Sequence, residues 1–379
     1  MKLLDRRSFL AALAAALTGP GHAAAGGPVY LSACLDPGGR EGDSVAAFDG
    51  DGRLLYATRL PARGHGAAAR PGRGEVVVFA RRPGNWAAVV ERTTGRVLRL
   101  ITTPPDRHFF GHGTFSPDGR LLYATENRAG ADDPGAGEGV LGVYDAASAY
   151  TRVDERPTHG LGPHDLALLP GGPILIANGG TRTQPGTGRE ILNPDAMAPS
   201  LVLLDPASGR ALLKADLGPA LRGLSIRHLA VAGDGEAVFA CQWEGAPEDG
   251  PLLVGVLPRG GPPRLLPMPE DDLAALDNYV GSVALCGAER VIAATSPRGN
   301  TVAFFDRGSG RYLGRRRMPD VCGVAPAAPA AGAAAGLFVV TSGHAGVATL
   351  GAPDGLTLRR LGGSDLAARA WDNHVRVLG

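Results

Sequence analysis

One pattern returns along the chain and limits what it can fold into. Its clearest copy is residues 108–127, HFFGHGTFSPDGRLLYATEN. Two β-type runs, residues 112–116 and 121–125, flank Pro117-Asp118-Gly119-Arg120. In that turn proline sets the first torsion and glycine accepts the positive one. A third run at 139–144 and a fourth at 150–155 follow, before a further His159-Gly160. Four strands and three turns in about 50 residues have the size of one propeller blade. Related units begin near residues 65, 112, 164, 228, 282 and 322, and the turn Asp205-Pro-Ala-Ser-Gly-Arg210 returns as Asp306-Arg-Gly-Ser-Gly-Arg311. A seventh unit is split: WDNHVRVLG, from Trp371, is a first strand with no second, whereas VYLSACL, SVAAFD and LLYATRL have no first strand. Pairing them closes the ring and removes an exposed sheet edge. The expected fold is therefore all-β, a seven-bladed β-propeller closed by pairing of the N- and C-terminal strands. It is expected to form one domain over residues 26–379 and to be a monomer.

Residues 1–25 read as a twin-arginine (Tat) export signal. Arg6-Arg7 precedes Phe9-Leu10, a weakly apolar AALAAALTG and a small-residue exit at residues 22–25. The expected location is the periplasm. No later stretch reaches the roughly 18 apolar residues of a membrane span. The net charge of +1 becomes about −1 without the signal, and no basic stripe interleaved with aromatics occurs, which argues against nucleic acid. The 57 glycines and 31 prolines fit a turn-rich β protein. An oxidising compartment permits a disulfide among Cys34, Cys241, Cys286 and Cys322. Their spacing forms no zinc knuckle or CxxC pair, and the first three fall in predicted strands as buried thiols. Long insertions at residues 128–138 and 181–199 both separate a second from a third strand, so they should project from one face, as a lid or as plain decoration.

Aligning the units on their first strands puts His65, His112, His164, His228, Ser282, Cys322 and His374 in one column. First strands line the axis of a propeller, so these residues should converge on one mouth of the channel. Imidazole is the commonest metal-binding side chain and a thiol adds a softer one. A transition metal is the expected cofactor, iron or copper before zinc. His65, His112, His164, His228, Cys322 and His374 are the candidate ligands, with Asp165 and Asp372 as residues that orient the rings. The competing reading is structural. Gly-His recurs in propellers as a brace, which Gly64-His65, Gly111-His112, His159-Gly160 and Gly343-His344 resemble, and alternation can turn a strand residue toward the next blade. His164 and His228 keep the column without the dipeptide. His108, His159 and His344 lie outside it, as rim candidates. Ser282, Asn178, Arg227 and Arg298 are further candidates, the arginines for holding a carboxylate. No phosphate loop, HExxH or GxSxG motif is present.

The phrases GHGTFSPDGRLLYATEN, EGVLGVYDA, THGLGPHDLALLP, ILIANGG, LSIRHLAV, SPRGN, DVCGVA and the closing WDNH resemble domain of unknown function 1513, a family of Tat-exported periplasmic proteins. The resemblance spans the mature chain. It implies a role in periplasmic iron handling beside imelysin-like and di-haem peroxidase-like partners, and it carries over no catalytic residue. Three functions stay open: a metal-binding propeller for iron acquisition or redox exchange, a lactonase-like hydrolase or isomerase with a histidine base, and a cofactor-free scaffold whose rim loops dock partners.

Overall fold

The structure is a computed structural model describing residues 27–36, 42–129, 137–188, 190–327, 337–351 and 358–378. Residues 1–25, read above as an export signal, and most of the 128–138 insertion lie outside the described residues. Seven antiparallel sheets form the ring. Blade 1 runs from its inner strand Gly64–Ala69 through Glu75–Ala80 and Trp86–Glu91 to Val97–Thr102. The inner strands of blades 2 to 6 are Arg107–Phe115, Pro163–Leu168, Leu224–Val231, Ser282–Leu285 and Val321–Pro326. Blade 7 joins the two ends as expected. Val29–Leu35, Asp43–Asp49 and Leu54–Arg59 are its outer strands, and the C-terminal pieces Ala370–Trp371 and Arg376–Leu378 pair with Val29–Leu35.

The turns follow from their chemistry. Gly119 sits at φ +68°, its N–H donates to Ser116 O at 2.9 Å, and Asp118 Oδ1 accepts from Arg120 N at 3.0 Å. In the Asp205 and Asp306 turns, the glycine N–H donates back to the aspartate carbonyl at 2.8 and 2.9 Å.

Second and third strands read as continuous apolar runs because sheets cover both of their faces. Val76, Val77, Val78 and Phe79 of blade 1 are all at 1 % exposure or less. The core is accordingly a series of layers between sheets. Val45, Val76 and Trp86 pack between blades 7 and 1, and Phe79, Phe109 and Tyr144 between blades 1 and 2. Around the ring, Tyr30, Phe48, Val339 and Trp371 close the layer between blades 6 and 7. All four cysteines are free and buried. No described helix is long and apolar enough to cross a membrane.

Candidate metal centre at the propeller axis

The inner strands do not run as regular ladders past the histidine column. Register shifts fall between Gly64 and Ala67, Phe109 and Gly113, Pro163 and Asp165, Ile226 and His228, and Val321 and Val324. In blade 7 the inner strand is broken from Asp372 to Val375. Such bulges re-aim a side chain that regular alternation would turn toward a sheet. Blade 5 pairs regularly through Ser282. Two threonines hold the column together across blades. Thr125 Oγ1 lies 3.2 Å from His112 O and 3.4 Å from His164 O, and Thr295 Oγ1 lies 3.4 Å from Ser282 O and 2.6 Å from Cys322 O.

Glycine gives the rings room. A Cβ on Gly66 would stand 2.8 Å from His112 Nδ1, and one on Gly111, at φ +104°, would stand 2.6 Å from His65 Cδ2. Gly111, the glycine before His112, and Gly66, the one after His65, thus each make space for the imidazole of a neighbouring blade, whereas Gly64 packs on Leu60 and Ala33.

Five imidazoles meet on the axis. Ring centroids of His65, His112, His164, His228 and His374 are 4.5 to 6.2 Å apart in eight pairs. One nitrogen each from His65, His112, His164 and His374 lies within 4.8 Å of the others. Donors about 2.1 Å from one ion stand roughly 3.4 Å apart in a tetrahedron, so a small contraction would complete a site. Five nitrogen atoms, His112 Nε2, His164 Nδ1, both of His228 and His374 Nε2, are buried without a hydrogen-bond partner among the described residues.

Two carboxylates set the tautomers. Asp372 Oδ1 takes His65 Nδ1–H at 2.9 Å, while its Oδ2 accepts from Arg63 at 2.7 Å and Arg81 at 3.1 Å. Asp165 Oδ1 lies 3.2 Å from His112 Nδ1 while Oδ2 accepts from Leu229 N at 3.0 Å. A carboxylate can only accept, so the proton sits on Nδ1 and Nε2 keeps its lone pair. Each aspartate serves the ring of an adjoining blade, and not the histidine beside it in sequence.

Burial, opposed by Asp372, lowers the His65 pKa to about 4. His164, His228 and His374 are driven well below the ordinary range, first by burial and then by neighbouring imidazoles. Asp372 resists burial and titrates lower than usual because His65, Arg81 and Arg63 favour its anion. These four rings are therefore neutral at neutral pH, the form that binds cations.

The cluster separates two cavities. One of about 700 Å³ is lined by His65, His112, His374, Ser282 and Arg376. A narrower one of about 200 Å³ is lined by His65, His164, His228 and Arg227, with Arg298 at its edge. Cys322 is not brought into the imidazole group. Its column position holds, but its thiol contacts Asp320 O at 3.1 Å in a third cavity beside Arg63, and burial pushes its pKa up. Asn178 is also apart, donating to Thr158 O at 3.1 Å between blades 2 and 3. His344 does stand at the rim, its side chain 79 % exposed. His108 does not, being 1 % exposed within blade 2, and His159 Nε2 meets Gly209 O at 2.9 Å. The 181–199 insertion reaches the narrow cavity through Ile191, and Arg182 packs on Gly137, so the two insertions meet on one face. Sequence reasoning missed Arg81, Arg82, Gln242, Tyr279, Arg376 and Asn373. The first three lie at or just beyond the ends of second strands, where the same repeat alignment gives a second column.

Fold and site together define a seven-bladed β-propeller whose channel is closed by a buried histidine cluster. The chain belongs to the family described as protein of unknown function (DUF1513), which it matches over residues 58–378. Among solved structures it is similar to Kuenenia stuttgartiensis hydrazine synthase, with a TM-score of 0.60 and 14% identity over 81% of this chain and 89% of that one. It is also similar to a chain in a crystal structure of the mitotic checkpoint complex, with a TM-score of 0.53 and 14% identity over 76% and 73%. At such identity the likeness shows the fold alone. No curated protein matches.

Proposed function

We propose that this protein binds a transition-metal ion on the imidazole cluster. The observation that carries the reading is the set of buried, unpartnered imidazole nitrogens gathered at the axis. Burying such groups without partners costs about 1–3 kcal/mol each, a penalty that coordination removes. Four nitrogens with a fifth ring adjoining exceed a tetrahedral zinc site and suit five- or six-coordinate iron or copper. When bound, either ion supplies one-electron exchange or is itself the cargo. The neutral rings lose no proton on binding, and Asp372 and Asp165 keep two of them oriented.

The physiological setting belongs to the same proposal. An exported propeller of this kind would serve iron acquisition or redox exchange in the periplasm, beside imelysin-like and di-haem peroxidase-like partners. The test is equilibrium dialysis of chelator-stripped protein against Fe(II), Cu(II) and Zn(II) with elemental analysis. A single tightly held ion per chain is expected, lost in His112→Ala and His164→Ala and retained in Cys322→Ser. Failure to retain any ion, or retention unchanged in both histidine variants, sinks the reading.

A further inference from the structure

The narrow cavity has a lining that metal binding leaves unexplained. Arg81, Arg82, Arg227 and Arg298 face it against a single carboxylate, Glu244. A bare cation coming in on this side meets four like charges, whereas an anion is drawn in. Two of these arginines carry unmet donors. Arg227 is 1 % exposed, pairs through one terminal nitrogen with Glu244 at 3.2 Å, and leaves its buried Nε without a partner. Arg81 meets Asp372 at 3.1 Å and likewise leaves Nε buried and unmet. Arg298 lies on the Tyr279 ring, its Cζ 4.5 Å from the centroid. That stack fixes the guanidinium plane and leaves its donor edge open.

We propose that this mouth binds a small di- or tricarboxylate against the face of the imidazole cluster. At about 200 Å³ the cavity is smaller than the roughly 300–1,000 Å³ of pockets for drug-sized ligands. Arg81, Arg227 and Arg298 come from blades 1, 4 and 5 and surround the mouth. Carboxylates on separate arms of one molecule satisfy donors placed this way, each pairing with a planar fork, whereas a single compact oxyanion faces only some of them. The anion also offsets the positive charge that the uncharged rings do not balance. The site stands whether or not an ion occupies the cluster, and with an ion present its affinity rises.

The experiment is calorimetric titration of tricarballylate, a tricarboxylate whose lack of a hydroxyl makes it a weak chelator. It is run on the full chain in stripped and Cu(II)-loaded forms, with inorganic phosphate as the comparison anion. Binding is expected in both forms, weakened about tenfold or more by Arg298→Gln, as loss of a charge-assisted pair predicts. Arg227→Gln should weaken it further. Arg298 is exposed, so its variant keeps the fold even if the Arg227 variant does not. Tricarballylate binding by protein that retains none of Fe(II), Cu(II) or Zn(II) supports this inference and sinks the metal reading. Copper retained with no tricarballylate binding, or affinity unchanged in Arg298→Gln, overturns this inference alone. Phosphate binding as tightly as tricarballylate overturns the assignment to carboxylates.

Discussion

His65, His164, His228 and His374 are held neutral on the axis by burial, and this makes the fold sensitive to acid. His65 has a folded pKa of about 4 against about 6.5 when unfolded, so at low pH the unfolded chain holds the extra proton. Above about pH 6.5 the group leaves stability unchanged, and between about 6.5 and 4 stability is lost as pH falls. The cost for His65 alone reaches about 2 kcal/mol at pH 5. His164, His228 and His374 are shifted the same way and add to it. Asp372 has the opposite linkage: its low pKa contributes stability that is lost only below about pH 4, a separate window. Urea unfolding of metal-free protein should therefore show a falling midpoint from pH 7.5 to 5, with a shallower fall in His65→Gln. A flat profile removes the premise of neutral buried rings. The Asp372–His65 pair gives a second test. An asparagine at 372 has no anion to orient the ring, and loss of such an outer partner costs about 10–100-fold in metal affinity, read by competitive Cu(II) titration. Affinity unchanged in Asp372→Asn would mean that His65 takes no part. The pairing itself was not legible. In sequence Asp165 and Asp372 stand beside His164 and His374, yet they reach His112 and His65, because a contact between blades leaves no trace in local spacing.

At the scale of the strand, the decisive feature is the bulge beside His65, His112, His164 and His228 and the break that holds His374. The column of residues was readable because repeats align by length and turn chemistry alone. The direction of the side chains was not, since regular alternation allows a first-strand residue to face its neighbour blade. Gly66, Gly111 and Gly323 fall within three of the register shifts, and Ser282, in a strand that pairs regularly, lines the wide cavity. Cys322 shares the column and a bulge, but its thiol is engaged by Asp320. Two positive-φ glycines differ in what a methyl group would meet. Gly111→Ala places a methyl 2.6 Å from the His65 ring at φ +104°, whereas Gly72→Ala, at φ +63°, meets nothing within 4 Å. Backbone strain costs about 1–3 kcal/mol at either position, so Gly111→Ala should lose more stability than Gly72→Ala and should also lose metal. Equal losses with metal binding intact would leave Gly111 as an ordinary turn residue.

For the whole ring, closure and site assembly are one event. Asp372 and His374 lie in the break of the C-terminal strand, whose flanks pair with Val29–Leu35, while His65, His112 and His164 belong to blades 1 to 3. The site is complete only when the two ends of the chain are joined. Closure was legible because each end lacked what the other supplied. Its coupling to the site follows only from seeing His374 among the other rings. An ion binding the folded state alone stabilises it by about 2.7 kcal/mol at 100 times its dissociation constant. Local opening at the seam of blade 7 also separates His374 and Asp372 from the other donors, so that opening is suppressed too. Hydrogen exchange with and without Cu(II) should show slowed amides in Val29–Leu35 and Arg376–Leu378, alongside the inner strands of blades 1 to 3. In His374→Ala, metal should no longer slow the seam, while any protection left around His112 and His164 stays. Protection confined to blades 1 to 3 in the wild type would show that the ion ignores His374 and that closure and binding are independent.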